Sequence, residues 1–167
     1  GPSSMPSLLR KDYVTNSNDS YWLSNPKQPL EGFATIIGDE RTDRTLRTRA
    51  GLVMVEEQLA KGGTFTRQEV QDLVYSSRQH AAEVVGDAVV AMCRAFPGGF
   101  APSEAGPVAV GEACDTLEAW DRTDSVDAVG ALLCRRFWTR VMSVPGGVQS
   151  ARQQTAVWTV PFDPADA

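Results

Sequence analysis

The sequence predicts a mainly α-helical protein, and three features of its 167 residues support that prediction. Apolar residues recur at intervals of three and four in four stretches after about residue 42, as they do on the buried face of a helix. Gly/Pro-rich segments at 62–63, 97–107 and 145–147 end three of these stretches. Thr66-Arg67-Gln68-Glu69 has the pattern of a capping box, which starts a further helix.

Five helices follow from these signals. The first runs from about Thr42 to Gly62, and the second runs from the capping box to about Tyr75. The other three are predicted from apolar stripes, which comprise Ala81, Val84, Val85, Ala88, Val89 and Met92; then Val110, Ala113, Cys114, Leu117 and Trp120; then Val129, Leu132, Leu133, Phe137 and Val141.

Short strands are predicted at both ends of the chain. Residues Asp12 to Leu23 read as two strands separated by a polar turn at 16–20, and Thr155 to Val160 reads as an extended tail. So few strands do not make a stable sheet alone, which suggests that a remainder is missing. We therefore divide the chain into a cleaved-tag remnant (1–4), a strand and loop segment (5–40), a helical domain (41–150) and an extended tail (151–167).

The charge balance argues against two classes of partner. The formal net charge is -5 and the sequence pI is about 4.9. Nucleic acids and anionic membranes are bound chiefly through basic patches, so we expect neither as a partner. No stretch approaches the ~18 to 20 apolar residues of a membrane span, and no targeting segment is recognisable.

The three cysteines lack the paired CxxC spacing of a zinc or redox site, so we expect no metal. In an oxidising compartment, a disulfide between Cys93 and Cys114 could form and would contribute roughly 3 kcal/mol to the free energy of unfolding by closing a loop. The alternative is three small buried hydrophobic residues, which composition alone slightly favours. Cys134 lies among apolar residues and reads as a core residue in either case.

Familiar catalytic patterns are scarce. His80 is the only histidine, and without a GxSxG motif we interpret it as a helix residue rather than a catalytic base. Phosphate-binding glycine loops are absent, so no nucleotide cofactor is expected. The one basic cluster has three interpretations: a solvated face paired with Asp39, Glu40 and Asp43, an anchor for a neighbouring segment, or an anion site; it comprises Arg41, Arg44, Arg47 and Arg49.

A family resemblance changes the interpretation of the polar turn. The larger subunit of penicillin-acylase-type enzymes is similar to the run Tyr13-Val14-Thr15-Asn16-Ser17-Asn18-Asp19-Ser20-Tyr21-Trp22-Leu23-Ser24-Asn25-Pro26. The similarity is closest to the branch of aculeacin A acylases and acyl-homoserine lactone acylases. It continues through Pro29-Leu30-Glu31-Gly32-Phe33, Ile36-Ile37-Gly38, Glu40-Arg41 and Leu46-Arg47-Thr48-Arg49, and less specifically through the helices around Cys93 to Trp120.

The resemblance implies a fold and a chemistry. Members of the family are N-terminal-nucleophile hydrolases with an αββα catalytic subunit, from which this helical domain would be excised. The N-terminal Ser of a self-cleaved precursor attacks an acyl amide, and its own α-amine is the base. By motif position, Asn18 looks like the side-chain donor of the oxyanion hole, and Arg41 looks like the arginine that supports the nucleophile's amine. No cofactor and no metal is implied.

The resemblance also implies partners and a location. The nucleophilic Ser is expected in a segment outside this chain, so the chain alone should be inactive. Its partners would be the remainder of the acylase and an acylated small molecule: a lipopeptide antibiotic, an acyl-homoserine lactone or, less favoured, a β-lactam. Secretion or export to the periplasm would expose the chain to oxidising conditions, which favours a Cys93–Cys114 disulfide.

Two rival functions stay open at the level of sequence. The chain could be a non-catalytic helical binding or scaffold module that inherited an acylase sequence. It could also be one natural chain of a split acylase whose second chain supplies the Ser.

Overall fold

The computed structural model describes residues 1, 4–42 and 44–143, with the side chains of 142 and 143 excepted. Two short 3-10 turns occupy Tyr21–Leu23 and Pro97–Gly99. The remaining elements are, in chain order, α1 (Leu46–Gly62), α2 (Arg67–Tyr75), α3 (His80–Arg94), β1 (Phe100–Ala101), β2 (Val108–Ala109), α4 (Gly111–Ala119) and α5 (Val129–Ser143). The predicted mainly α-helical class is therefore confirmed.

The ends of α1 and α2 have clear chemical causes. Thr45 caps α1 by accepting the Thr48 backbone N–H at 3.2 Å, so the helix begins at Leu46 and not near Thr42 as predicted. Gly63 ends it with a left-handed φ of 74°. The capping box of α2 is confirmed, because the Thr66 N–H donates to Glu69 at 2.7 Å and the Glu69 N–H donates to Thr66 at 3.2 Å.

The prediction of two strands within residues 12–23 is wrong. This segment contains bends and the 3-10 turn at Tyr21–Leu23. Its backbone groups bond to single partners, as when the Thr15 N–H donates to the Ser24 carbonyl at 2.7 Å and the Asn25 side chain donates to the Tyr13 carbonyl at 3.0 Å. A repeating ladder is not formed, so no strand results. The predicted strand at 155–160, and the tail 151–167 with it, lie outside the described residues.

The two strands in the described part of the chain, β1 and β2, were not predicted. They are an antiparallel pair of two residues each, in which Phe100 faces Ala109 and Ala101 faces Val108. They lie in and directly after the Gly/Pro-rich segment 97–107, which was expected only to end a helix. A ladder this short leaves almost no period-two pattern to detect.

The chain divides into two compact units whose boundary lies within α2, between Val70 and Gln71. The division at residue 40 that sequence analysis proposed rests on a change of sequence pattern and stays a prediction. The core of the first unit contains Trp22, Leu23 and Leu52, and each is at most 5% exposed. Asn25 is fully buried there, where its carboxamide bonds to the backbone of Tyr13 and Lys27.

The second unit is built on three helices. α3 packs on α4, and α4 packs on α5. A disulfide joins Cys93 of α3 to Cys114 of α4, with their Cα atoms 5.7 Å apart. This is the pairing that the family resemblance favoured. Gly130 lies against Trp120, and a Cβ at position 130 would come within 2.4 Å of that side chain, so only glycine fits there.

The disulfide makes a testable contribution to stability. We expect Cys93→Ser to lower the free energy of unfolding by about 3 kcal/mol, because the bridge closes a loop with a sequence separation of 21. Denaturant unfolding of the whole chain measures this loss, and Cys134→Ser is the control that keeps the bridge.

Mass spectrometry after alkylation in denaturant checks the pairing directly. Before reduction only the free Cys134 should be alkylated, and after reduction all three cysteines should be. Alkylation of all three thiols without reductant would contradict the bridge.

Candidate functional site

Asn18 lies at the exposed tip of a fixed turn. The Asn16 side-chain oxygen accepts the Asn18 backbone N–H at 2.7 Å, which makes an Asx turn. Asn18 has a left-handed backbone with φ of 56°. Its side-chain amide makes no hydrogen bond with any residue that the structure describes. The turn therefore presents an uncharged N–H donor at the surface of the first unit.

The next residue, Asp19, fastens this turn to α1. One carboxylate oxygen accepts from the Arg44 guanidinium at 2.7 Å, and the other accepts from the Thr48 hydroxyl at 2.7 Å. Burial alone would raise the pKa of Asp19, but hydrogen bonds from Thr48 and the Ser20 backbone, with the charge of Arg44, bring that pKa below its ordinary value. The carboxylate is therefore charged at neutral pH and holds the turn in place.

Arg44 is the most deeply buried charged group of this region. Its side chain is 3% exposed, and its guanidinium carbon lies 5.3 Å from the centre of the Trp22 ring. The guanidinium also donates to the Thr42 carbonyl at 3.0 Å. A buried cation with a carboxylate, a carbonyl and an aromatic face is well compensated.

The Glu31 carboxylate connects Arg41 to Trp22. Glu31 accepts the Trp22 indole N–H at 2.9 Å on one oxygen and the Arg41 guanidinium at 2.5 Å on the other. The hydrogen bond from Arg41 and then the one from Trp22 lower the pKa of Glu31. The Arg41 side chain itself is 77% exposed. It is therefore oriented by Glu31 while its outer face stays open.

Glu40 holds the loop that leads to Arg41. Its carboxylate accepts the Tyr21 hydroxyl at 2.6 Å and the backbone N–H groups of Gly32 and Phe33, both at 2.9 Å. Burial, followed by the hydrogen bond to Glu40, raises the pKa of Tyr21 to about 12. The phenol thus stays a donor at neutral pH and keeps the loop closed.

Asn18 and Arg41 do not bond to each other in the part of the chain that the structure describes. A continuous series of contacts joins them instead, running through Asp19, Arg44, Trp22 and Glu31. Both residues have positive φ, 56° and 53°, a conformation that is costly for arginine. Two residues that the family motif singled out are thus both held in an uncommon backbone conformation.

The basic cluster has a mixed outcome. Arg44 anchors a neighbouring segment, which was one of the three interpretations. Arg41 and Arg44 precede α1 and only Arg47 and Arg49 lie on it, because Thr45 caps the helix and it begins at Leu46. Asp43 lies outside the described residues.

Sequence reasoning missed Glu31 and Thr48 as parts of this region, and it did not predict that Arg44 binds Asp19. Their contacts join residues 10 to 29 positions apart, and no local pattern encodes such pairs. The available signal was the motif itself, since Glu31 and Thr48 both lie in runs that carry the family resemblance.

The other titratable candidates have structural roles. His80 begins α3 and lies 3.0 Å from Glu83, which also pairs with Arg78 at 2.7 Å. Cys134 lines an apolar cavity of the second unit together with Val85, Val89 and Phe137. Burial raises the pKa of the Cys134 thiol, so it is not an activated nucleophile.

No group of three described His, Cys, Asp or Glu side chains is arranged to hold a metal ion. None of the described helices combines the length and the apolar content that crossing a membrane requires.

Comparison with known proteins identifies the family. Residues 1–160 match the penicillin amidase family. The chain belongs to that family. It is 42% identical to aculeacin-A acylase of Actinoplanes utahensis over 156 residues, which cover 90% of this chain. The resemblance that the Asn16–Trp22 run indicated is therefore confirmed.

Acyl-homoserine lactone acylases are also similar to this chain. PvdQ of Pseudomonas fluorescens (strain Pf0-1) is 33% identical over 166 residues, and PvdQ of Pseudomonas putida is 27% identical over 163 residues. These matches cover 99% and 97% of this chain. The chain spans only about a fifth of the length of the curated relatives it matches, 19% of aculeacin-A acylase and 18% of the P. putida protein.

The buried ion pair should control the stability of the first unit. We expect Arg44→Met to lower the free energy of unfolding by roughly 2 to 4 kcal/mol, since it keeps the volume but leaves the Asp19 carboxylate without its cation. Asp19 is 22% exposed on its side chain, which keeps the loss below that of a fully buried pair. Denaturant unfolding of the whole chain, followed by circular dichroism, measures the change.

Arg47→Met is the matched control for this variant, because Arg47 is exposed. Equal losses from Arg44→Met and Arg47→Met would show that the buried pair does not anchor the turn.

The lowered pKa of Asp19 predicts a dependence of stability on pH. The folded pKa lies below the unfolded value of about 3.9, so the stabilisation is complete above that pH and is lost as the pH falls through the folded pKa. The stability difference between the unaltered chain and Asp19→Asn should therefore shrink on acidification below about pH 4. Unfolding titrations at pH 2 to 7 test this, with the exposed Asp127→Asn as control; a constant difference for Asp19→Asn would contradict the assignment.

Proposed function

We propose that this chain is a segment of an acylase that hydrolyses the acyl amide bond of acylated small molecules, and that it contributes Asn18 and Arg41 to the catalytic site. The observation that carries the proposal is the exposed Asn18 amide on a turn anchored by Asp19, Arg44 and Thr48. Membership of the penicillin amidase family supplies the class of chemistry.

Asn18 suits the stabilisation of an oxyanion. The attack of a nucleophile on an amide carbonyl places negative charge on the carbonyl oxygen, and a fixed N–H donor stabilises that charge without a cost of reorientation. The Asx turn and the Asp19 contacts fix the backbone on both sides of the donor. The donor is uncharged, so it leaves the protonation of a nearby base to other groups.

Arg41 suits the support of a nucleophile's amine. A positive charge near an amine disfavours protonation of that amine, which keeps it available as a base. The guanidinium is planar and is held on one side by Glu31, so its remaining N–H groups have a defined direction. We assign the nucleophilic Ser to a segment outside this chain, and we propose that the chain alone does not hydrolyse amides.

The relatives guide the choice of substrate. Two of them are named for aculeacin A and for acyl-homoserine lactones, so we propose a substrate with an aliphatic acyl chain on an amide nitrogen. The remainder of the acylase is the proposed partner. We place the enzyme in a secreted or periplasmic compartment, which agrees with the Cys93–Cys114 disulfide.

Removal of the Asn18 amide tests the proposal in the full-length acylase that carries this segment. Asn18→Gly deletes the donor while glycine accepts the left-handed backbone without strain. We expect kcat for a medium-chain acyl p-nitroanilide to fall at least about tenfold, and up to about 1000-fold, with little change in KM.

Ser77→Gly is the matched control, since Ser77 is exposed and has a left-handed φ of 53°. Precursor processing is followed in parallel by gel electrophoresis. A correctly processed Asn18→Gly enzyme with unchanged kcat would remove Asn18 from the mechanism and would favour the scaffold interpretation.

A further inference from the structure

Glu31 contacts both the buried core beneath the Asn18 turn and the exposed Arg41. Its two oxygens have different partners, the Trp22 indole N–H at 2.9 Å and the Arg41 guanidinium at 2.5 Å. Trp22 is 5% exposed and Arg41 has a side chain that is 77% exposed. Glu31 thus connects a buried group to an exposed one.

The Arg41 pair contributes little to folding. An ion pair this open to solvent is worth little in stability, because water screens the attraction and the long side chain loses rotamer freedom. The ion pair instead fixes the direction in which the Arg41 side chain points. A carboxylate whose other oxygen is bound to a buried indole holds the guanidinium in one direction, whereas a free arginine samples many rotamers.

We infer that Glu31 is a positioning residue of the acylase site, which fixes Arg41 relative to the Asn18 turn. This inference rests on the proposed function. The path of contacts supports it: Glu31 holds Trp22, the Trp22 ring faces Arg44, and Arg44 binds Asp19 next to Asn18. Glu31 does not touch the reacting atoms, and it acts through Arg41.

A double-mutant cycle in the full-length acylase tests this role. Glu31→Gln keeps an oxygen for the Trp22 indole and removes the charge that holds Arg41. We expect kcat for the acyl p-nitroanilide to fall about tenfold or more with KM changed less than about twofold. In an Arg41→Ala background the same substitution should lower kcat by no more than about twofold, because the group that Glu31 positions is already gone. Glu31→Asp keeps the negative charge, so its kcat should lie between that of Glu31→Gln and that of the unaltered enzyme.

Glu104→Gln is the matched control, since Glu104 is an exposed carboxylate of the second unit. It should leave kcat unchanged in both backgrounds. Equal falls from Glu31→Gln with and without Arg41 would show that Glu31 acts independently of it, and no fall in either background would likewise overturn the inference.

NMR of this chain separates failure of the inference from failure of the proposed function. We expect Glu31→Gln, and not Glu104→Gln, to lower the heteronuclear NOE of the Arg41 Nε–H, since the side chain becomes mobile. If Arg41→Ala leaves kcat unchanged, the catalytic role of Arg41 fails, and the NOE alone then decides whether Glu31 fixes Arg41. An unaltered Arg41 NOE in Glu31→Gln would reject the positioning role.

Discussion

The burial of the Arg44 guanidinium is the interaction on which the first unit depends. A cation with 3% of its side chain exposed needs compensation on every side, and Asp19, the Thr42 carbonyl and the Trp22 ring supply it. Asp19 and Trp22 lie in one stretch of chain, and Thr42 lies in another that leads into α1. By requiring all three, one buried charge fixes the Asn18 turn, the Trp22 core and the start of α1 in a single arrangement.

The same arrangement explains how an irregular segment can present a site. Residues 12–40 contain no strand, and their only regular element is the 3-10 turn at Tyr21–Leu23. Hydrogen bonds to carboxylates order this segment in place of a sheet ladder. Asp19, Glu31 and Glu40 each accept at least two hydrogen bonds from separate positions. A loop ordered in this way is rigid enough to hold Asn18 and Arg41 in left-handed conformations that an unconstrained chain would leave.

The second unit is held together by different means. Its helices pack in sequence order, the Cys93–Cys114 bridge crosses from α3 to α4, and Gly130 allows the backbone of α5 to approach Trp120. These features are covalent or steric and do not depend on buried charge. Acidification that protonates Asp19 should therefore affect the first unit while leaving the disulfide-linked helices in place.

The sequence by itself determined the helices, the capping box of α2 and the family. Helical periodicity and capping are local, so α2 to α5 were found within a few residues of their observed ends, and the Asn16–Trp22 motif indicated the penicillin amidase family. The tertiary structure alone decided that Arg44 is buried, that Glu31 joins Trp22 to Arg41, and that residues 12–23 form no strands. These outcomes depend on contacts between residues far apart in the chain, and the energy of such contacts comes from burial and mutual geometry, which no local pattern contains.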